Sequence, residues 1–153
     1  MNTIDELINC PKIITHAARK EDKLENRSYR NDYCVESIDG KYSFVMFTRK
    51  NEIFPENFTV GLKWVNNGYG KDIVLLRCNG PHGGTYNLDS CHFIPHIHKL
   101  TNENFERENF VEDDIIKTEE YSTLEEAVKY FCSICHISNP KEYFKYFSQT
   151  TLF

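Results

Sequence analysis

Apolar and polar residues alternate along the middle of the chain, a pattern typical of β-strands with one buried face. Four segments are predicted as such strands, residues 33–38, 41–48, 58–65 and 93–98, and residues 73–76 are a continuous apolar run that predicts a central buried strand. The first two flank Asp39-Gly40, a dipeptide that favours a hairpin turn of type I′ because glycine readily adopts positive φ. Pro95 places the fifth strand at a sheet edge or a bulge. The pattern therefore predicts a mostly antiparallel, five-stranded sheet in a meander.

Helical patterns precede and follow these strands. Thr3 and Glu6 form a capping box, which predicts a short helix that ends near Asn9. Residues 16–32 show little apolar periodicity and are interpreted as a polar helix or loop.

Two more helices are predicted in the last third of the chain. Ser122 and Glu125 form a second capping box, and Asn139-Pro140 is typical of a helix start with asparagine as N-cap. In the first of these helices one face is apolar: Leu124, Val128, Phe131, Cys132 and Cys135. Strands followed by helices in this order indicate the α+β class.

Charge is unevenly distributed along the chain. The net charge is −5, but residues 101–126 hold ten acidic and two basic side chains, so that segment carries −8 and the remainder +3. Residues 101–121 are interpreted as an acidic connector. We expect a single domain over residues 1–148, followed by a peptide motif at 149–153. The overall charge argues against a broad nucleic-acid surface, whereas a local basic patch is compatible with it.

Cysteine use and hydropathy predict a cytoplasmic protein. Residues 1–10 lack the basic and apolar regions of a secretory signal, and no apolar run reaches the ~18 residues of a membrane span. The six cysteines are therefore expected to be reduced. Cys132-Ser-Ile-Cys135-His136 matches the haem-attachment pattern, but both cysteines lie on the apolar helix face, so no cofactor is expected. A redox pair or half of a zinc site stays open.

Histidines concentrate in one stretch of the chain: His82, His92, His96 and His98. His96 and His98 would project from the same face of a strand, and Arg77 follows the buried strand at 73–76. Histidines can exchange protons at neutral pH while a cation stabilises an oxyanion. His82, His96, His98 and Arg77 are thus candidate catalytic residues of a metal-independent ribonuclease or phosphodiesterase acting on RNA or DNA.

Two alternatives for this stretch stay open. One is a zinc site that uses His82, Cys91, His92, His96 or His98, as part of a structural or regulatory domain. The other is a set of hydrogen-bonded histidines that only organise the loop.

The block Leu76-Arg77-Cys78-Asn79-Gly80-Pro81-His82, followed by Pro95-His96-Ile97-His98, resembles prokaryotic single-domain proteins of uncharacterised activity. The resemblance implies a prokaryotic, intracellular protein and no particular reaction.

Residues 149–153 read Gln-Thr-Thr-Leu-Phe, which resembles the bacterial sliding-clamp-binding motif Gln-x-x-Leu-Phe. In such a motif the amide of Gln149 would make oriented hydrogen bonds, and Leu152 and Phe153 would fill apolar pockets. The resemblance implies an interaction protein that docks on the DNA sliding clamp, such as a toxin, a phage takeover factor or a repair accessory. The alternative is that Leu152 and Phe153 pack back onto the domain.

Overall fold

One antiparallel sheet and three helices make up the described part of the chain, which in this computed structural model is residues 3–81 and 94–147. In chain order the elements are α1 (Ile4–Asn9), β1 (Lys12–Ala17), β2 (Lys23–Glu25), β3 (Ser28–Ser37), β4 (Ser43–Asn51), β5 (Phe58–Val65), β6 (Ile73–Asn79), β7 (His96–Lys99), α2 (Asn102–Glu106), β8 (Asp114–Lys117) and α3 (Leu124–Ile134). Two short 3-10 turns follow at Pro140–Glu142 and Lys145–Phe147.

The sheet confirms the α+β class and the antiparallel meander. Each strand from β3 to β7 pairs with the next strand along the chain, and β1 and β2 both pair with β3. The predicted number of strands is wrong, because this sheet has eight and not five. Pro95 precedes β7, a strand that pairs on both sides and therefore is not an edge.

The missed strands have no alternating pattern to detect. Strands β2 and β8 are exposed along their whole length, and in β1 the fully buried Lys12 stands where an apolar residue is expected. The interpretation of residues 16–32 as a polar helix or loop is wrong, because this stretch contains β2 and the start of β3. Residues 101–121, interpreted as a connector, contain α2 and β8.

The caps of α1 and α3 are of the predicted kind, whereas the turn after β3 is of another type. Thr3 caps α1, and its Oγ1 accepts a hydrogen bond from the Glu6 N–H, as predicted. The capping box of α3 uses Thr123 and Glu126, one residue later than predicted. In the turn after β3, Gly40 has φ of 78° while Asp39 does not enter the left-handed region, so the turn is not of type I′.

The predicted helix at Asn139-Pro140 is wrong, because Asn139 bonds to a strand and only 3-10 turns follow. Its Oδ1 accepts from the Ile14 N–H at 2.8 Å and its Nδ2 donates to the Ile14 carbonyl at 2.9 Å. The amide therefore extends the edge of β1 instead of capping a helix.

Lys12 joins the ends of two helices inside the core. Its Nζ donates to the carbonyls of Ile8 and Cys10 at 2.6 and 2.9 Å, and to that of Cys135 at 2.9 Å. Burial lowers the pKa of Lys12 below its usual value. The ammonium satisfies carbonyls that a helix leaves unpaired at its C-terminal end.

The two faces of the sheet differ in composition. Helices α1 and α3 pack on one face, where buried apolar residues such as Met46, Leu62 and Phe131 form the core. On the opposite face the side chains are largely polar. We call it the arginine face and define it by Arg30, Phe47, Arg49, Thr59, Gly61, Arg77, Asn79, His96 and His98.

Candidate functional site

Strand register brings the polar residues of the arginine face into two adjacent rows. The first row runs across five strands through Arg30, Arg49, Thr59, Asn79 and His96. The second row runs through Asp32, Phe47, Gly61, Arg77 and His98, so it begins with a carboxylate beside the ring of Phe47. Neighbouring strands lie about 4.8 Å apart, so residues far apart in sequence become direct neighbours.

A depression of about 400 Å³ lies on this face. Its lining consists of Arg30, Phe47, Arg49, Asn57, Thr59, Arg77 and Asn79. Three guanidinium groups therefore surround one cavity, and none of the described residues that line it is acidic. Such a concentration of donors and positive charge is suited to an anion.

Arg49 lies at the centre of this positive charge. Its Nη2 donates to Asn57 Oδ1 and to Thr59 Oγ1, both at 3.1 Å, and both acceptors are neutral. Burial lowers the pKa of Arg49, and the charges of Arg30 and Arg77 lower it further. An arginine nevertheless stays protonated in proteins, so the three guanidinium groups repel one another in the folded state.

Arg77 has an acidic partner outside the depression. Its Nε lies 2.6 Å from Oε1 of Glu112, whose side chain is only 14% exposed. The contact is a close ion pair, but Nε makes no well-aligned hydrogen bond with any described residue. Glu112 comes from the segment before β8, so this segment helps to hold the guanidinium in place.

The two histidines of β7 lie together, with ring centroids 4.9 Å apart. Nδ1 of His96 is 2.8 Å from the Ile94 carbonyl, and Nδ1 of His98 is 3.4 Å from the Glu112 carbonyl. A carbonyl only accepts, so Nδ1 carries the proton in both rings. His96 is fully buried and His98 is 8% exposed, so neither ring presents much surface to a ligand.

Asn79, like Arg77, has a buried polar side-chain atom that makes no hydrogen bond within the described residues. The residue is 3% exposed, and its Oδ1 is buried without a hydrogen-bond partner in the described part of the chain. Its backbone carbonyl, by contrast, accepts from the Tyr121 hydroxyl at 3.0 Å. A buried acceptor left unpaired costs about 1–3 kcal/mol, so the side chain is maintained against a stability penalty.

The structure brings three of the predicted catalytic residues together. His98 stands directly opposite Arg77 in the strand register, and His96 is next to His98. His82 lies outside the described residues, as do Cys91 and His92 of the zinc alternative and Gln149, Leu152 and Phe153 of the clamp motif.

Three further features bear on the sequence predictions. Within residues 3–81 and 94–147, no group of three His, Cys, Asp or Glu side chains is arranged to hold a metal ion. None of the helices in those ranges is long and apolar enough to cross a membrane. Cys132 and Cys135 of the haem-like pattern are buried free thiols on the apolar side of α3.

Three residues of the site were not predicted from the sequence: Arg30, Arg49 and Asn79. The first two could have been found by counting outward from Asp39-Gly40, because the hairpin register pairs Arg30 directly with Arg49. Asn79 gives no such indication, since its unpaired amide depends on what surrounds it in three dimensions.

Comparison with known proteins adds no family: no protein-family model matches the sequence, and neither curated proteins nor solved structures give a significant match.

Proposed function

We propose that the chain binds the phosphodiester backbone of a nucleic-acid strand on its arginine face. The observation that carries this proposal is the depression lined by Arg30, Arg49 and Arg77 without an acidic side chain. Planar guanidinium groups pair with phosphate oxygens through two parallel hydrogen bonds, which makes arginine the preferred side chain for this anion. A bound phosphate would also relieve the repulsion among the three cations.

The net charge of −5 does not oppose this proposal. Surface charges act over a Debye length of about 8 Å at physiological ionic strength, so the local field on the arginine face decides the encounter. Positive patches on otherwise acidic proteins can therefore attract phosphate ligands.

The test is a titration of a labelled single-stranded oligonucleotide with the full chain, followed by fluorescence anisotropy at several salt concentrations. We expect Arg49→Ala to weaken binding about tenfold or more and to lower the salt dependence by about one released ion. Arg107→Ala is the matched control, because Arg107 is exposed, pairs with Glu103 and does not line the depression. Equal affinity of the two variants, or no binding at low salt, would contradict the proposal.

Glu112 supplies a variant with the opposite expected sign. Its carboxylate neutralises part of the Arg77 charge at the rim of the site. Glu112→Gln keeps the shape and removes the charge, so we expect tighter oligonucleotide binding than in the parent. Weaker binding would indicate that the ion pair is needed to position Arg77.

Cleavage of the bound strand is a second candidate function. It is favoured by His98, the less deeply buried of two adjacent imidazoles, which stands directly opposite Arg77 in the strand register. The same oligonucleotide, as RNA and incubated with EDTA, would be shortened by the parent and not by His98→Ala. Equal shortening by both proteins would exclude His98 from the chemistry.

Docking on the sliding clamp is independent of these residues and is supported by Gln149, Leu152 and Phe153 in the sequence. The two activities are compatible, because a clamp places its partners next to nucleic acid. Calorimetry with a bacterial clamp should show micromolar binding that is lost when residues 149–153 are deleted. Undiminished binding by the deleted form would reject this role for the motif.

A further inference from the structure

We propose that the strand bound by the arginine face is single-stranded RNA, with a base stacked on Phe47 and a ribose 2′-hydroxyl hydrogen-bonded to Asn79. This inference rests on the proposed function, since it names the ligand of the same site. Two separate observations carry it, one on the aromatic ring and one on the amide.

The first observation is the position of the Phe47 ring on the sheet. Phe47 pairs with Gly61 in the neighbouring strand, and a Cβ on Gly61 would lie only 2.2 Å from Cζ of Phe47. The ring therefore extends across β5 into space that a side chain would otherwise fill. Glycine at this position allows the ring to lie along the sheet surface.

The ring also lies between two basic depressions. Phe47 and Arg30 line both the site described above and a second depression of about 370 Å³, which also contains Arg19, Lys23 and Lys63. The second depression has two carboxylates, Glu25 and Asp32, on its wall. Phe47 is only half-buried and pairs with no other aromatic ring of the described residues.

An aromatic ring between phosphate sites is how proteins hold single strands. Bases in a duplex stack on one another, whereas an unpaired base can place its face on a phenylalanine while its phosphates contact flanking cations. The arrangement of Phe47 therefore favours a single strand over a duplex.

The second observation is the unpaired Oδ1 of Asn79 in the wall of the arginine-lined depression. Arginine only donates and phosphate oxygens only accept, so a bare phosphate satisfies the guanidinium groups and leaves this oxygen unpaired. A ligand that fills the depression and also pairs this oxygen therefore carries a donor close to its phosphate. In RNA the 2′-hydroxyl meets this requirement because it both donates and accepts, and DNA lacks it.

Binding of four probes of one sequence tests this inference: single-stranded RNA, the same strand as DNA, the strand with 2′-O-methyl groups, and the RNA duplex. We expect single-stranded RNA to bind most tightly and each of the others about tenfold more weakly. The 2′-O-methyl strand examines the Asn79 contact in the unaltered protein, because methylation removes the donor and leaves the rest of the strand in place.

Three variants assign the preferences to their residues. Asn79→Leu should bind RNA no better than DNA, because the acceptor for the 2′-hydroxyl is gone. Phe47→Leu should weaken the binding of both single strands about tenfold. Phe47→Tyr, which keeps the aromatic ring, should bind them as tightly as the parent.

The outcomes separate this inference from the proposed function. Equal binding of RNA and DNA, still dependent on Arg49, would overturn the inference and leave the proposed function standing. Equal binding of single strand and duplex would do the same. If no probe binds at low salt, both fail.

Discussion

The two faces of the sheet are made by the same strands, yet one is apolar with its polar groups paired and the other is charged with a polar group left unpaired. Toward the helices, residues such as Met46 and Leu62 are fully buried and apolar, and Lys12 is buried with its donors bonded to carbonyls. On the arginine face, like charges lie together and the Oδ1 of Asn79 is buried without a partner.

This difference separates what stabilises the fold from what the fold is arranged to do. Apolar burial and satisfied polar groups favour the native state. Clustered cations and an orphaned acceptor disfavour it, and such features persist where a ligand gives them a role. The arginine face is therefore where substitutions should alter binding more than folding.

The largest effect on folding is expected from Leu62→Ala on the helix side. Leu62 is fully buried in β5, and its truncation leaves a cavity that costs about 2–5 kcal/mol. Val45→Ala, in the half-buried part of β4 on the opposite side, should cost less than about 1.5 kcal/mol. Urea unfolding of both variants measures the difference, and similar losses would show that the two sides are equally packed.

Lys12→Met should produce the next largest loss of stability, about 2 kcal/mol. Methionine has a similar length but no donor, so the carbonyls of Ile8, Cys10 and Cys135 would lose their shared partner. Lys41→Met is the control at an exposed position. If thermal unfolding gives the same midpoint for both variants, the buried ammonium does not stabilise the helix ends.

Alkaline pH should lower stability through the buried thiols by about 1 kcal/mol each. Burial raises the pKa of Cys135 from 9.0 to about 12. Above pH 9 the unfolded thiol loses its proton while the folded one keeps it, so unfolding becomes easier as pH rises toward 12. Urea unfolding at pH 8 and pH 10 should show a smaller loss in Cys135→Ala than in the parent. Lys12 is present in both proteins and therefore does not account for a difference between them. An equal loss of stability in both would show that the Cys135 thiol does not cause it.

The smallest effect, and one of opposite sign, is expected from Asn79→Leu. Removing an unpaired buried acceptor should raise the free energy of unfolding by about 0.5–1 kcal/mol. Asn57→Leu, which removes an acceptor of Arg49, should lower it by about 1 kcal/mol. A loss of stability in Asn79→Leu would mean that the amide is a structural element and not a group kept for a ligand.

Local sequence predicted those parts of the fold that local physics determines. The cap at Thr3, the hairpin around Asp39-Gly40 and the apolar side of α3 follow from patterns within a few residues. Strands β2 and β8 were not predicted, because a strand with no buried side chain shows no alternation of apolar and polar residues.

Only part of the candidate site could be predicted from the sequence, for a related reason. His96 and His98 are two residues apart, so strand periodicity alone places them on one face. Arg30, Arg49 and Arg77 meet only through pairings between β3, β4, β5 and β6. The unpaired state of Asn79 is a property of its packed surroundings, which no local pattern encodes.

The bonds of β1 to late residues affect how the chain folds during synthesis. Lys12 bonds to the Cys135 carbonyl, and Ile14 exchanges two hydrogen bonds with the Asn139 side chain. The ribosome must add more than a hundred residues after Lys12 before these partners emerge. On a nascent chain the meander can pair from β3 onward, whereas α1 and β1 reach their final bonding only after Asn139 leaves the exit tunnel.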